Sequence, residues 1–266
     1  MHTDQATPVR AVFLDVGGTL AYPHPSFHGL IAQVCQANGL AVKPEEAERA
    51  EPAVWARIAE RDDVGRGFSV SADKSQAFWL FVYRSFLTEL GHPAAAETDL
   101  PQRLLDTFVR LENYRLYDDA LPALDALRGT EVTLGVLSNW EEWLERLMVS
   151  LGIREYFDFA VISGLTGHEK PDREIFLAAL EAAGTRPDES VHVGDSLKDD
   201  VAGAQAVGIR GVLLDRRGVA TVPIAAMAAA SVQTDDRGLK SSEVVPDARI
   251  TSLLELPELL GLTPRR

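Results

Sequence analysis

The strongest constraint on this chain is a series of short apolar runs that stop on polar residues. Residues 9–14 form one such run, which stops at Asp15 with Gly17 and Gly18 just beyond. Residues 132–137 stop at Ser138 and Asn139, and residues 191–193 stop at Gly194 and Asp195. Residues 157–162 and 212–214 repeat the pattern, and 248–250 make a weaker sixth run. Short apolar runs without alternation suit strands buried on both faces. Between the later runs the apolar spacing turns helical. Trp140, Leu144, Leu147, Met148 and Leu151 share a face that ends at Gly152, and Ile175, Ala179, Leu180 and Ala183 share another that ends at Gly184. A small-residue helix over residues 200–207 ends at Gly208. Strand and helix in alternation predict parallel βαβ units with right-handed crossovers.

Residues 22–116 break this rhythm, because strand signals vanish there. Phe27, Leu30, Ile31 and Val34 make one helical stripe, which ends at Asn38 and Gly39. Phe78, Phe81, Val82 and Phe86 make another, which ends at Gly91. A helical block placed after the first strand of a parallel sheet reads as a cap domain. Pro122, just inside a helix that begins near Asp119, marks the return to the sheet. The expected architecture is an α/β fold: a Rossmann-like parallel-sheet core over residues 1–21 and 117–266, with an inserted α-helical cap over 22–116. Residues 219–245 are weakly patterned and read as a surface loop.

A chain of 266 residues is long enough for a full core plus an inserted module. Its net charge of −14 argues against nucleic acid and anionic membranes as partners. No apolar run approaches the roughly 20 residues that cross a bilayer, and residues 1–10 lack an apolar signal core. Cys35 is the single cysteine, so no intramolecular disulfide forms. A soluble, cytoplasmic protein is expected.

Ligands in an open parallel sheet sit at the carboxyl ends of its strands. Asp15, Ser138, Asn139 and Asp195 each follow a strand, which places them at one edge despite their distance in sequence. Asp15 is the candidate nucleophile, since a carboxylate can attack phosphorus and split one hard step into two. Gly17 and Gly18 let backbone N–H groups approach an anion, and the Thr19 hydroxyl can order that loop. Ser138 and Asn139 offer a hydroxyl and an amide to a phosphoryl oxygen, or cap the helix that follows. Lys170, beside Pro171, offers an ammonium to the developing charge. Asp195, Asp199 and Asp200 cluster as hard oxygen donors suited to Mg²⁺, although Asp199 and Asp200 also suit the first turn of a helix.

These residues together resemble the haloacid dehalogenase superfamily of hydrolases, in the subfamily with a helical cap after the first strand. The likeness rests on Asp15-Val16-Gly17-Gly18-Thr19, Leu116-Tyr117-Asp118-Asp119-Ala120, Leu137-Ser138-Asn139-Trp140, Glu169-Lys170-Pro171-Asp172 and Val193-Gly194-Asp195-Ser196, and it spans nearly the whole chain. The resemblance implies a nucleophilic, metal-binding Asp15, with the carbonyl of Gly17 and the carboxylate of Asp195 as the other protein ligands of Mg²⁺. Ser138 and Lys170 resemble the phosphate-binding pair. Asp199 or Asp200 resembles the outer acid that orients Lys170 or a metal-bound water. Gly18, Thr19, Ser138 and Asn139 are the expected substrate contacts.

Gly17 departs from the family pattern. Phosphatases of the family usually carry Asp at that position, as the acid that protonates the leaving oxygen, and loss of such a group removes about 10²–10⁴-fold in rate. His24, His28, His168 and Glu169 are substitutes by chain position. The resemblance therefore implies a Mg²⁺-dependent phosphatase of a small phosphorylated compound that works best on good leaving groups. A metal-independent dehalogenase and a non-catalytic binding member are the alternatives. A phosphonate-cleaving relative would need a cap lysine, and Lys43 and Lys74 are the ones present. Arg57, Arg61, Arg66, Trp79 and Arg84 are candidate specificity residues.

Overall fold

The computed structural model describes residues 7–60, 67–216 and 244–263. The chain opens with β1 (Ala11–Leu14) and a short β2 (Ala21–Pro23). It then runs through α1 (Phe27–Ala37), α2 (Pro44–Ala59), α3 (Ala72–Glu89), α4 (Pro93–Ala96) and α5 (Leu100–Phe108), and returns along β3 (Tyr114–Leu116). After α6 (Ala120–Arg128) come β4 (Thr133–Ser138), α7 (Leu144–Ser150), β5 (Phe159–Ile162), α8 (Ser163–Thr166) and α9 (Arg173–Ala183). The last section holds β6 (Ser190–Gly194), a π-helical turn (Leu197–Ala202), α10 (Gly203–Ala206), β7 (Arg210–Leu214), β8 (Ala248–Ile250) and α11 (Leu256–Leu259).

All six apolar runs are strands of one parallel sheet, in the spatial order β5-β4-β1-β6-β7-β8. β1 sits inside the sheet, paired with β4 on one side and β6 on the other. Its residues alternate between two apolar layers. Val12 and Leu14 join the cluster that includes Leu124, Leu127, Leu144 and Leu147 of α6 and α7. Ala11 and Phe13 join Ile175, Phe176 and Ala179 of α9. Burial on both faces is why these runs are continuously apolar rather than alternating.

The helices from α1 to α5 pack on an apolar cluster of their own, which includes Phe27, Ile31, Trp55, Phe78, Phe86 and Leu104. Ser26 caps α1 by accepting from the Gly29 amide at 2.9 Å. This segment is not wholly helical, as the sequence had suggested. β2 and β3 pair antiparallel, Ala21 with Leu116 and Pro23 with Tyr114, and bracket the helices with a two-stranded ribbon. Three-residue strands are too short to carry a periodic signal.

Two helix expectations also need correction. Trp140 precedes α7, which begins at Leu144, so Ser138 and Asn139 do not cap it. The helix expected over residues 200–207 begins as a π turn at Leu197, with the amides of Asp200 and Val201 both on the Ser196 carbonyl at 3.1 Å. No helix among the described residues is long and apolar enough to cross a membrane. Nearly all of the loop expected over residues 219–245 lies outside the described residues.

The packing predicts a sharp contrast on α7. Leu147 is fully buried, whereas Val149 is 65% exposed. Leu147→Ala should cost about 2–5 kcal/mol through lost contacts and a residual cavity, and Val149→Ala about 0.5 kcal/mol or less. Urea unfolding of both variants checks this, and similar losses at the two positions would contradict the assigned faces.

Candidate active site

Asp15 stands where β1 ends, and its carboxylate is buried. Its Oδ1 accepts from Ser138 Oγ at 2.9 Å and from Lys170 Nζ at 2.8 Å. Ser138 is the last residue of β4, the strand beside β1, so sheet register alone brings it to Asp15. Lys170 arrives on the loop between α8 and α9. Asn139 fixes that loop: its side chain accepts from the Lys170 amide at 2.6 Å and donates to the Lys170 carbonyl at 2.8 Å. Asn139 thus grips the backbone behind the ammonium.

Lys170 Nζ also donates to Asp200 Oδ1 at 2.5 Å. Asp200 accepts as well from Ser196 N at 2.8 Å, and its Oδ1 lies 2.8 Å from His192 Nε2. Asp200 is thus the one of the two that holds Lys170, while Asp199 Oδ1 is buried with no hydrogen-bond partner among the described residues. Burial works against Lys170's charge, but the Asp15 and Asp200 carboxylates outweigh it and hold the ammonium above the usual lysine range. Burial also opposes Asp200's charge, and Lys170 and His192 hold its carboxyl well below the usual range. Asp195 behaves in the opposite way. Burial and the Asp15 and Asp200 charges push its carboxyl well up, and burial also leaves Asp15 raised.

The loop after β1 is closed by Val16, whose carbonyl accepts from the amides of Thr19, Leu20 and Ala21. The Gly17 carbonyl takes none of these bonds. Gly18 does not present its N–H to an anion as expected, because that amide bonds the Ala21 carbonyl at 3.0 Å. Glycine is required there for other reasons: φ is +75°, and a Cβ would lie 2.2 Å from Asp195 Oδ2. Thr19 also departs from expectation. It is fully buried, its hydroxyl has no partner among the described residues, and it does not line the site cavity. Tight packing under the loop takes its side chain away from any substrate.

A cavity of about 510 Å³ opens over Asp15. Gly17, Gly18, Ser138, Asn139, Lys170, Asp195, Asp199 and Asp200 line it from the sheet side. Phe27, His28, Glu51, Phe68, Trp79, Tyr83 and Phe108 line it from the helical segment. Of the four substitutes for an acid at residue 17, only His28 lines the cavity, with Nε2 at 3.0 Å from Glu51 Oε2. Glu169 is buried elsewhere: it accepts from Gly67 N at 2.5 Å, from Ser69 N at 3.1 Å and from Ser69 Oγ at 2.7 Å, tying the loop of Lys170 to the helical segment. His24 and His168 do not line the cavity, nor do Lys43, Lys74, Arg57 and Arg84. Arg57 pairs with Glu89 instead. Arg61 and Arg66 lie outside the described residues.

Two contributors escaped the sequence reading. His192 lies inside β6 and carries no exposed surface, and a histidine in the middle of a buried strand was the available signal. Arg216 reaches the cavity wall through a two-pronged pair with Asp119 at 3.0 and 2.9 Å, and its guanidinium lies 3.9 Å from the Tyr117 ring centroid.

Three carboxylates, those of Asp15, Asp195 and Asp200, offer oxygens within 4.8 Å of one another. One ammonium does not balance three such charges in a buried site. Asp200 is already committed to Lys170, His192 and Ser196, which leaves Asp15 and Asp195 as hard oxygen donors that could hold a small divalent cation.

The family description "haloacid dehalogenase-like hydrolase" matches residues 9–208. The chain is 30% identical over 212 residues to haloacid dehalogenase-like hydrolase domain-containing protein 3 of Danio rerio, covering 79% of this chain and 86% of that one. It is 30% identical over 210 residues to a ribulose-1,5-bisphosphate 5-phosphatase of Halopiger xanaduensis, covering 77% and 84%. A solved 2-haloacid dehalogenase of Pseudomonas syringae superposes with a TM-score of 0.57 at 28% identity, covering 95% of this chain and 98% of that one.

Asp199 makes the site's pH dependence testable. Burial and the Asp200 charge push its carboxyl up to about 7. An unfolded carboxyl titrates near ~3.9, so the folded group binds its proton more tightly. Its contribution to stability is complete below about pH 4 and is lost as pH rises through about 7. In chelator-treated protein, Asp199→Asn should lose less thermal stability than wild type between about pH 4 and about pH 8. Parallel melting-temperature curves for the two proteins would contradict this account.

Proposed function

Because the chain belongs to the haloacid dehalogenase-like hydrolases, we propose that it is a Mg²⁺-dependent phosphatase of a small phosphorylated compound. The observation that carries this reading is the Lys170 ammonium shared between Asp15 and Asp200 beside a third carboxylate. With a divalent cation offsetting the carboxylates, Lys170 and Ser138 can receive a phosphoryl group. The phosphatase name of one relative supports the same chemistry.

In this reading Asp15 attacks phosphorus with its Oδ2, the oxygen that takes none of the bonds from Ser138 and Lys170. The phosphorus–oxygen bond to the leaving group breaks as the aspartyl–phosphorus bond forms, and water then hydrolyses the aspartyl phosphate. Ser138 and Lys170 turn toward the transferring oxygens, and Lys170 stays positioned by Asp200 and Asn139. Asp15, Asp195 and the Gly17 carbonyl would hold Mg²⁺, which supplies positive charge against the incoming phosphoryl oxygens. The segment over residues 22–116 acts as the cap, closing the cavity against bulk water. A metal-free dehalogenase, the alternative that the Pseudomonas syringae likeness raises, would have no use for three converging carboxylates.

The leaving oxygen has no carboxylate at residue 17 to protonate it. A Cβ at Gly17 would stand 3.1 Å from the Trp140 ring carbon Cζ3, a contact that asks the indole to give by a few tenths of an ångström. Gly17→Asp therefore needs the indole to yield, and pairing it with Trp140→Phe provides the room. The purified protein should hydrolyse acetyl phosphate with Mg²⁺, stop with chelator, and turn over simple alkyl phosphates about 10²-fold or more slowly. The double variant should raise kcat on alkyl phosphates more than on acetyl phosphate. Equal wild-type kcat/KM on the two classes would mean that another group supplies the proton. Full activity in chelator would overturn the metal assignment.

A further inference from the structure

The cavity wall opposite Asp15 is aromatic. Trp79 and Tyr83 stack at 5.9 Å, Tyr83 and Phe108 stack at 5.3 Å, and Phe27 lies 5.0 Å from Phe108. Trp79 is half-buried, so part of its ring surface is open. On the sheet side, Trp140 packs against Tyr114 and Trp143 at 5.7 and 5.3 Å. Its ring edge covers Gly17, next to the proposed nucleophile. A group leaving from a phosphoryl on Asp15 would depart beside that indole.

Charge narrows the occupant further. Glu51 and Glu141 also line the cavity, Glu51 beside His28 and accepting from Trp55, Glu141 accepting from Ser75. The basic side chains that line the cavity among the described residues each meet a carboxylate: Lys170 those of Asp15 and Asp200, Arg216 that of Asp119, and His28 Nε2 lies 3.0 Å from Glu51. A second phosphate or a carboxylate on the substrate would meet acidic side chains there.

We propose that the substrate is a phosphate monoester of an uncharged, ring-bearing alcohol of the aryl type, its ring lodged between Trp140 and the aromatic wall around Trp79. This rests on the phosphatase reading and narrows it to a substrate class. It also agrees with Gly17, because a phenolate leaves without the proton that an alkoxide demands. Aromatic packing prefers offset or edge-to-face contacts, which the mixed ring orientations of this wall provide. A cavity of about 510 Å³ is of the size that holds a small ligand.

Non-hydrolysable phosphonates separate binding from turnover. In Mg²⁺, calorimetry should show phenylphosphonate binding about fivefold or more tighter than ethylphosphonate. 4-Carboxyphenylphosphonate should bind more weakly than phenylphosphonate. Trp79→Leu and, as a second variant in case the first disturbs folding, Phe27→Leu should reduce the phenyl preference while leaving ethylphosphonate affinity within about twofold. Equal affinity for the phenyl and ethyl compounds, or equal losses for both in the two variants, would overturn the substrate class. Tighter binding of the carboxylated ring would overturn its uncharged character. Turnover separates the two readings: hydrolysis of acetyl phosphate without ring selectivity defeats only this inference. Ring-selective binding with no hydrolysis of any phosphate defeats the phosphatase reading and, with it, the assignment of the ring-bearing compound as substrate.

Discussion

The site depends on one buried ammonium. Lys170 Nζ sits between Asp15 Oδ1 and Asp200 Oδ1 at 2.8 and 2.5 Å, and all three side chains are buried. Removing one member of a buried ion pair leaves an uncompensated charge, at a cost of about 3–5 kcal/mol. The surroundings meet that demand. Asn139 grips the Lys170 backbone, Ser138 shares Asp15, and His192 and the Ser196 amide share Asp200. Each of these residues lies in, or just after, a strand beside β1, in the loop after β6 or in the loop before α9. The parallel sheet is therefore the scaffold that makes the charge cluster affordable.

The same loop that carries Asp15 explains the departure at residue 17. Val16 absorbs three amides, and Gly18 turns with positive φ to admit Asp195. Gly17 lies under the Trp140 ring. Aromatic surface thus lies against the point from which a side chain at residue 17 would extend. Glu169, one residue before Lys170, bonds Gly67 and Ser69 of the helical segment, and Ser69 Oγ also meets Ser163 Oγ at 2.7 Å. The cavity's two walls are joined through this buried polar contact, right behind the ammonium.

Most of the sheet was legible because its strands are buried on both faces and so read as unbroken apolar runs. The polar residues that end them, Asp15, Ser138 and Asp195, were legible for the same reason. The ribbon of β2 and β3 was not, since three residues carry no period. Thr19 was found but given the wrong work, and the grip of Asn139 on the Lys170 backbone was not foreseen: both are set by tertiary contact. Asp199 and Asp200 could not be told apart in sequence, because the π turn decides which one faces Lys170. His192 hid within an apolar run. Arg216 drew no attention because its partner Asp119 lies 97 positions away in sequence.

The central claim is that Asp15 accepts a phosphoryl group in a site completed by a divalent cation. Fluorine NMR of the protein with beryllofluoride, a mimic of an aspartyl phosphate, tests it most directly. Protein-bound fluoride signals should form only when Mg²⁺ is present, and should be missing from an otherwise folded Asp15→Asn variant. Bound signals that persist in chelator or in Asp15→Asn, or their absence from wild type at saturating Mg²⁺, would contradict the account.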